Sequence, residues 1–332
     1  MSRQSSHISP QCAVPSVALC FCAVLLLAPN AGAQTGPRKE PHLRIQTDLV
    51  TVPASVLDAS GKPVADLPES AFKLYQDGVE QKIAKFETQT DRPLELALMV
   101  DASLSTFKET KFENEATARF IRLLVRPSDL LGVFDFSDYV YQLSDFSSNV
   151  ARLEAAAERI APGSGTSLYD AIVLGSGQLE KLPEDRRRVI VLVTDAGETT
   201  SRSNFDSARR AAIASEGLLY TILLRPVANE NGRNTAGEHA IETIIDSTGG
   251  AVYYPASLGQ LDAMFQQISR ELRTQYLLSY YPEPKEKAGT YCRIELDIPG
   301  GSYTLHYRKG YFEAGPSEAD SAPDSNNQPN RQ

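Results

Sequence analysis

The sequence predicts an α/β protein: a doubly wound, mostly parallel sheet accompanied by a small β-sandwich module. Three observations lead there. From Leu94 onward, continuous apolar runs alternate with amphipathic stretches, the pattern of βαβ units around a sheet buried on both faces. On either side of that region the texture changes to short alternating runs separated by Gly, Asp and Pro turns. With 332 residues, 42% of them hydrophobic, the chain has the length for roughly two domains of about 150 residues and can build a core without disulfides or metals.

Residues 1–33 are expected to be a cleaved export signal. Arg3 precedes a short apolar run from Cys12 to Ala28, and Ala31-Gly-Ala33 suits a signal-peptidase site before Gln34. Pro15 and Pro29 flank a run shorter than the roughly 20 residues of a membrane span, so no stable span is expected after cleavage. The protein is then periplasmic or secreted. Cleavage removes Cys12, Cys20 and Cys22, leaving Cys292 with no intrachain partner. With Tyr291, Ile294 and Leu296 beside it, Cys292 reads as a small buried hydrophobe in a strand.

A polar leader, 34–42, precedes an N-terminal β module, 43–92. Leu43, Ile45, Leu49, Val50, Val52 and Val56 are its strand formers, and Asp77-Gly78 centres a hairpin between 71–75 and 79–86. The α/β domain is expected over 93–273. Its strands are 94–100, 130–136, 189–194, 218–224 and 252–254, with a short hairpin partner near 140–143. Helices fall at Phe112 to Leu124, near 150–160, 167–182, 204–215 and 240–247, and finally at 258–272, where Leu258, Leu261, Phe265, Ile268 and Leu272 mark one face. Residues 274–315 return to strands, which are expected to pair with the N-terminal module; a separate C-terminal sheet is the alternative. The tail, 316–332, is Ser, Pro, Asn, Gln and Asp without apolar periodicity, and is expected to be disordered.

Three stretches fall at strand ends on the face where an open α/β sheet collects its ligands. They are Asp101-Ala-Ser103-Leu-Ser105, Gly163-Ser-Gly-Thr166 and Thr194-Asp195. Two carboxylates and three hydroxyls form an oxygen-only set suited to a hard divalent cation and poor for zinc or copper. Such a set leaves coordination positions to water, and one of these is open to an acidic side chain of another molecule. Taken singly, the same residues read as strand-end carboxylates and turn or capping hydroxyls, with Thr166 as the N-cap of the third helix.

Asp101-x-Ser103-x-Ser105, then Thr166 in Gly-Thr-Ser-Leu-Tyr-Asp-Ala-Ile, then Thr194-Asp195, resembles the metal-ion-dependent adhesion site of the von Willebrand factor type A domain. Leu49-Val-Thr-Val52 and 72–78 resemble a bacterial exported subgroup related to that domain, and the likeness extends over roughly 43–313. The resemblance implies a Rossmann-like domain in which Asp101, Ser103, Ser105, Thr166 and Asp195 hold Mg²⁺, Mn²⁺ or Ca²⁺, Asp195 often through a water. It implies a protein partner bearing an exposed Asp or Glu, and an adhesion-type binding function without catalysis. One departure is Ala196, where the family usually has Gly after the last metal-site Asp; Glu198 close behind adds a charge.

Other function classes find little support. A net charge of −9 and the absence of a clustered basic surface argue against nucleic-acid binding. Gly163-Ser-Gly-Thr-Ser lacks the third glycine of a dinucleotide loop and the Lys of a phosphate loop. His42, His239 and His306 are scattered, which disfavours a catalytic triad or a zinc cluster. Arg186-Arg-Arg188 reads as a solvated loop before a strand, with an anionic partner as the alternative. The aromatics near the end of the chain, Tyr276 to Phe312, read as cross-strand packing, with carbohydrate stacking as the alternative. The polar, Gly-containing loop 229–237 is a candidate to border the metal face, its position not being fixed by sequence. Two rival functions stand: a scaffold with a vestigial metal site that binds through its β module, and a metal-dependent hydrolase.

Overall fold

The computed structural model describes residues 49–88, 92–103, 110–183, 186–224 and 234–313. The predicted export signal and leader, the first residues of the β module, Ser105, positions 225–233 and the tail lie outside the described residues.

The central sheet has six strands. β5 (Leu94–Asp101), β6 (Leu130–Phe136), β8 (Arg187–Thr194), β9 (Leu218–Leu223) and β10 (Val252–Tyr253) run parallel, and β7 (Val140–Gln142) turns back antiparallel on the edge beside β6, giving the order β10-β9-β8-β5-β6-β7. β5 is buried along its whole length, as the apolar run predicts for a strand covered on both faces.

Six helices cover the sheet. On one face, α1 (Thr110–Leu124), α2 (Val150–Ala157) and α6 (Leu261–Arg273) share a core with Leu96, Leu98, Val191 and Tyr220. Phe120 of α1 and Phe265 of α6 stack there at 4.2 Å and 19°. On the other, α3 (Leu168–Leu179), α4 (Phe205–Ala214) and α5 (Thr235–Thr248) pack on Ala97, Met99, Ile190 and Leu192. Asn149, Asn204 and Asn234 accept hydrogen bonds from the first-turn amides of α2, α4 and α5. None of the described helices is long and apolar enough to cross a membrane.

The strands flanking this unit form two four-stranded antiparallel sheets. β1 (Val50–Leu57) lies between β11 (Tyr276–Tyr280) and β13 (Thr304–Tyr307), with β4 (Ile83–Glu87) outside β11. β12 (Tyr291–Asp297) lies between β2 (Lys73–Gln76) and β14 (Gly310–Phe312), with β3 (Val79–Gln81) beyond β2. Each sheet therefore takes strands from both sides of the α/β unit. Their inner faces enclose a core of Val52, Ala54, Val56, Phe72, Leu74, Tyr276, Leu278, Tyr280 and Ile294. Cys292 is buried in it, and the Tyr280 and Tyr311 hydroxyls both donate to Gln76 Oε1, at 2.7 and 3.0 Å.

Several local expectations change. The hairpin around Asp77-Gly78 forms, but its second strand is two strands: β3 ends at Gln81 and β4 joins the opposite sheet, so 79–86 crosses the sandwich. A short 3-10 turn over 258–260 precedes α6. α5 begins at Thr235 rather than Ala240, making Thr235–Gly237 helical instead of loop. Arg186-Arg-Arg188 is no solvated loop: Arg187 opens β8, is 6% exposed, and donates to the Arg92, Leu272 and Gln275 side-chain or carbonyl oxygens. His306 on β13 places its Nδ1 3.0 Å from Oε2 of Glu271, a residue whose Oε1 accepts from the Tyr253 hydroxyl.

Truncation of the stacked pair tests how the last helix is held. Phe265→Ala is expected to lower unfolding free energy by about 3–5 kcal/mol in urea titration with an unchanged m-value. A loss below about 1 kcal/mol would mean that α6 is not part of the core.

Candidate metal centre

β5 and β8 are neighbours in register, Val100 opposite Val193, and the chain leaves them in opposite directions across the sheet, β5 toward β6 and β8 toward β9. This is the switch point at which an open sheet forms a crevice beyond its carboxyl ends. Asp101 ends β5 and Thr194 ends β8.

Backbone hydrogen bonds then draw in the remaining stretch. Gly163 N donates to Ala102 O at 2.8 Å, making a one-residue parallel bridge between Ser103 and Gly163, and Thr199 N donates to Thr166 O at 2.9 Å. The loop 163–166 is thus tied to 101–103 on one side and to 194–199 on the other. Asp138 holds it from outside, Oδ2 accepting from Ser164 N at 2.9 Å. Small residues are required here, because a Cβ on Gly165 would sit 2.6 Å from Thr200 Cγ2 and 2.8 Å from Asp138 Oδ1.

Asp101 is 2% exposed. Its Oδ2 accepts from the Thr194 hydroxyl at 2.7 Å and its Oδ1 from Ser103 N at 2.9 Å. Burial raises its carboxyl to about 6; those hydrogen bonds work in the opposite direction, and the charge of Asp195 adds to the rise. Asp195 is half-buried, with Oδ1 accepting from Gly197 N at 2.9 Å. A Cβ on Gly197 would lie 3.0 Å from Asp195 Oδ1 and 3.3 Å from Thr166 Oγ1, so those two oxygens are separated by no more than the sum of these distances. The glycine leaves open a cradle that any other side chain would fill.

Asp101, Ser103, Thr166 and Asp195 therefore meet at one end of the sheet, while Ser105 lies outside the described residues. The donors are all oxygens, and two of them belong to carboxylates. This chemistry fits a hard divalent cation.

Thr166 is not the cap of α3. That position is Ser167, whose hydroxyl donates to Asp138 O, while Thr166 N donates to Thr199 Oγ1. Glu198 is held away from the role of added ligand: Oε2 accepts from Tyr169 N at 3.0 Å and the Ser201 hydroxyl at 2.7 Å, and Oε1 from Ser201 N at 2.9 Å, so it caps the first turn of α3. Ala196 has φ 61°, the left-handed region in which a Cβ costs roughly 1–2 kcal/mol. It is held there by two bonds: its N donates to Thr194 Oγ1 and its O accepts from Asn234 Nδ2.

Thr194, Asp138 and Asn234 support the site without being legible as site residues. Thr194 alone carried a signal, as the hydroxyl ending the most β-branched strand. Asn234, at the end of the polar loop, does reach this face through Ala196 O.

The sequence profile of the von Willebrand factor type A domain matches residues 96–198, which span all four placed residues. This segment is a von Willebrand factor type A domain. No curated protein matches the chain. Among solved structures, the type A domain is similar to the conserved hypothetical protein BatB from Bacteroides thetaiotaomicron, 18% identical over 55% of this chain and 100% of that one, with a TM-score of 0.43. It is also similar to the vWF domain of the type V pili tip protein Mfa5 from Porphyromonas gingivalis, 11% identical over 55% and 96%, TM-score 0.46. A von Willebrand factor type A protein from Catenulispora acidiphila is 12% identical over 83% of this chain and 76% of its own, TM-score 0.47.

The raised Asp101 carboxyl has a definite pH signature. A folded-state value near 6 against an unfolded 3.8 means that its protonated form contributes stability present below about pH 4 and lost as pH rises through 6. With chelator present, the stability of Asp101→Asn relative to wild type is expected to improve by roughly 1 kcal/mol between pH 5 and pH 7.5 in urea titrations. Parallel pH dependences would remove the buried charge from the account.

Proposed function

We propose that this is an exported, non-enzymatic binding protein whose type A domain holds Mg²⁺ or a similar divalent cation and recruits a protein partner through an exposed Asp or Glu. Asp101 is the main charged anchor, Ser103 and Ser105 are hydroxyl ligands, and Thr166 and Asp195 complete the set from the two neighbouring loops. The observation that carries this function is the convergence of buried Asp101 with Thr166 and Asp195 at the carboxyl end of the sheet, Thr166 and Asp195 flanking Gly197. Bound there, a divalent cation supplies an electrophilic coordination position for the partner's carboxylate. The chain's own contribution is positional: β5 and β8 set the two carboxylates side by side, and the 163–166 loop brings its hydroxyl in from the flank. Export is supported by the composition of residues 1–33.

Calorimetric titration with Mg²⁺ and Mn²⁺, run on wild type and Asp101→Ala, tests the metal. Wild type is expected to bind and to gain about 2.7 kcal/mol of stability at a hundredfold excess over Kd, and Asp101→Ala to lose both. Heat that is absent, or indifferent to Asp101, would favour the scaffold with a vestigial site. Crosslinking in the native cell envelope with and without chelator then tests recruitment, the expected partner being released by chelation. Cation-dependent turnover that disappears in Asp195→Ala would instead establish the hydrolase.

A further inference from the structure

At the opposite end of β8 from the metal face, roughly 23 Å away along the eight-residue strand, a cleft of about 460 Å³ opens between the α/β sheet and the sandwich sheet containing β1 and β11. Its polar wall carries Arg92, Arg186, Arg187, Arg188 and Gln275, an unusual concentration in a chain with net charge −9. Pro53 and Leu277 from the sandwich sheet and Leu218 from the α/β sheet are among its apolar lining.

The arginines are not equally compensated. Arg92 is bound by Glu87, Nη2 to Oε1 at 2.7 Å, and Arg186 Nε lies 3.5 Å from buried Glu95. Glu216 on the rim is paired with Arg308 at 3.1 Å. Arg187 is different. At 6% exposure it is held by neutral acceptors: Nε and Nη2 donate to Arg92 O at 3.2 and 3.1 Å, and Nη1 to Gln275 Oε1 at 3.0 Å and to Leu272 O. It makes no ion pair among the described residues. Arg188 donates Nη1 to Ser215 O and Nη2 to Leu182 O, while its Nε is buried without an acceptor.

A buried cation is normally paired, because neutral dipoles offset only part of its desolvation. Burial, with neighbouring Arg273 adding in the same direction and Asp129 opposing it, brings the Arg187 guanidinium down to about 10. A buried guanidinium with no direct ion pair, on the wall of an open cleft with three further arginines, is what an anion site looks like before its ligand arrives. The volume is far larger than an inorganic oxyanion needs and lies in the range of small-molecule sites. The apolar lining gives the remaining space its chemistry.

We propose that this cleft binds a small organic anion, a carboxylate or phosphate monoester, whose charged head meets Arg187 and whose apolar body lies against Pro53, Leu218 and Leu277. Arg186 and Arg188 at the mouth add to the attracting field. The site is independent of the metal face and does not rest on the function proposed for it.

Hexanoate, hexyl phosphate, inorganic phosphate and hexanol are the probes, titrated calorimetrically into the full chain with chelator present throughout. At least one of the two hexyl anions is expected to bind at least tenfold more tightly than both hexanol and inorganic phosphate, and to weaken as salt rises. Whichever anion is tighter identifies the head group. Arg187→Gln is expected to cost at least tenfold. Since that variant removes four hydrogen bonds and is at risk of misfolding, Arg186→Gln and Arg188→Gln are read beside it, each expected to weaken binding about threefold or more with an unchanged circular dichroism spectrum. Hexanol binding as well as the anions, inorganic phosphate binding as well as hexyl phosphate, no binding by either hexyl anion, or anion binding indifferent to Arg186 and Arg188 would each overturn the proposal.

Discussion

The parallel register of β5 with β8 is the constraint on which the rest of the molecule depends. With Val100 opposite Val193, the two strands finish together, so Thr194 donates directly to Asp101 and Asp195 leaves the sheet beside it. A slip of one residue would turn every side chain to the other face and separate the carboxylates. Register is protected by burial: both strands are lined on the two faces by separate helical layers, so no alternative pairing keeps the same residues out of water. Site and core thus share one cause.

Much of this is legible in the sequence, and the reasons are physical. A strand buried on both faces has to be continuously apolar, which marks 94–100 and 189–194, and strand ends in such a sheet are where polar residues converge. Asp101, Ser103, Thr166 and Asp195 are readable because their order places each at or beside the end of a recognisable element. Long-range partners leave no such trace. Nothing local in Glu198 says that its carboxylate is spent on Tyr169 N of α3 and on Ser201, and nothing in Arg187 distinguishes a strand's first residue from the last residue of a loop. The division of 79–86 between two sheets is also invisible, since both halves have the same strand character and only the distant β11 selects β4.

Glu271 shows how the two parts of the molecule are stitched together. It stands on α6 in the α/β unit, accepts from Tyr253 of β10, and faces His306 of β13 in the sandwich. A fully buried side chain with two polar partners from different layers ties those layers together more specifically than apolar packing would, since loss of either partner leaves a buried polar group unsatisfied. Arg187 reinforces the same seam through Leu272 and Gln275.

The interleaving of the sandwich also sets a timetable. Thr51 on β1 meets Ser279 on β11, a partner 228 positions further along the chain. At a ribosomal pace of 5–20 residues per second, an emerging β1 waits on the order of 10 to 50 seconds before that partner exists. Throughout this interval Val52, Ala54 and Val56, fully enclosed in the finished protein, lack the part of their core that Tyr276, Leu278, Tyr280 and Ile294 supply. The nascent chain is therefore at its most vulnerable at its beginning, and any helper that attends its birth has most to gain by shielding that first strand.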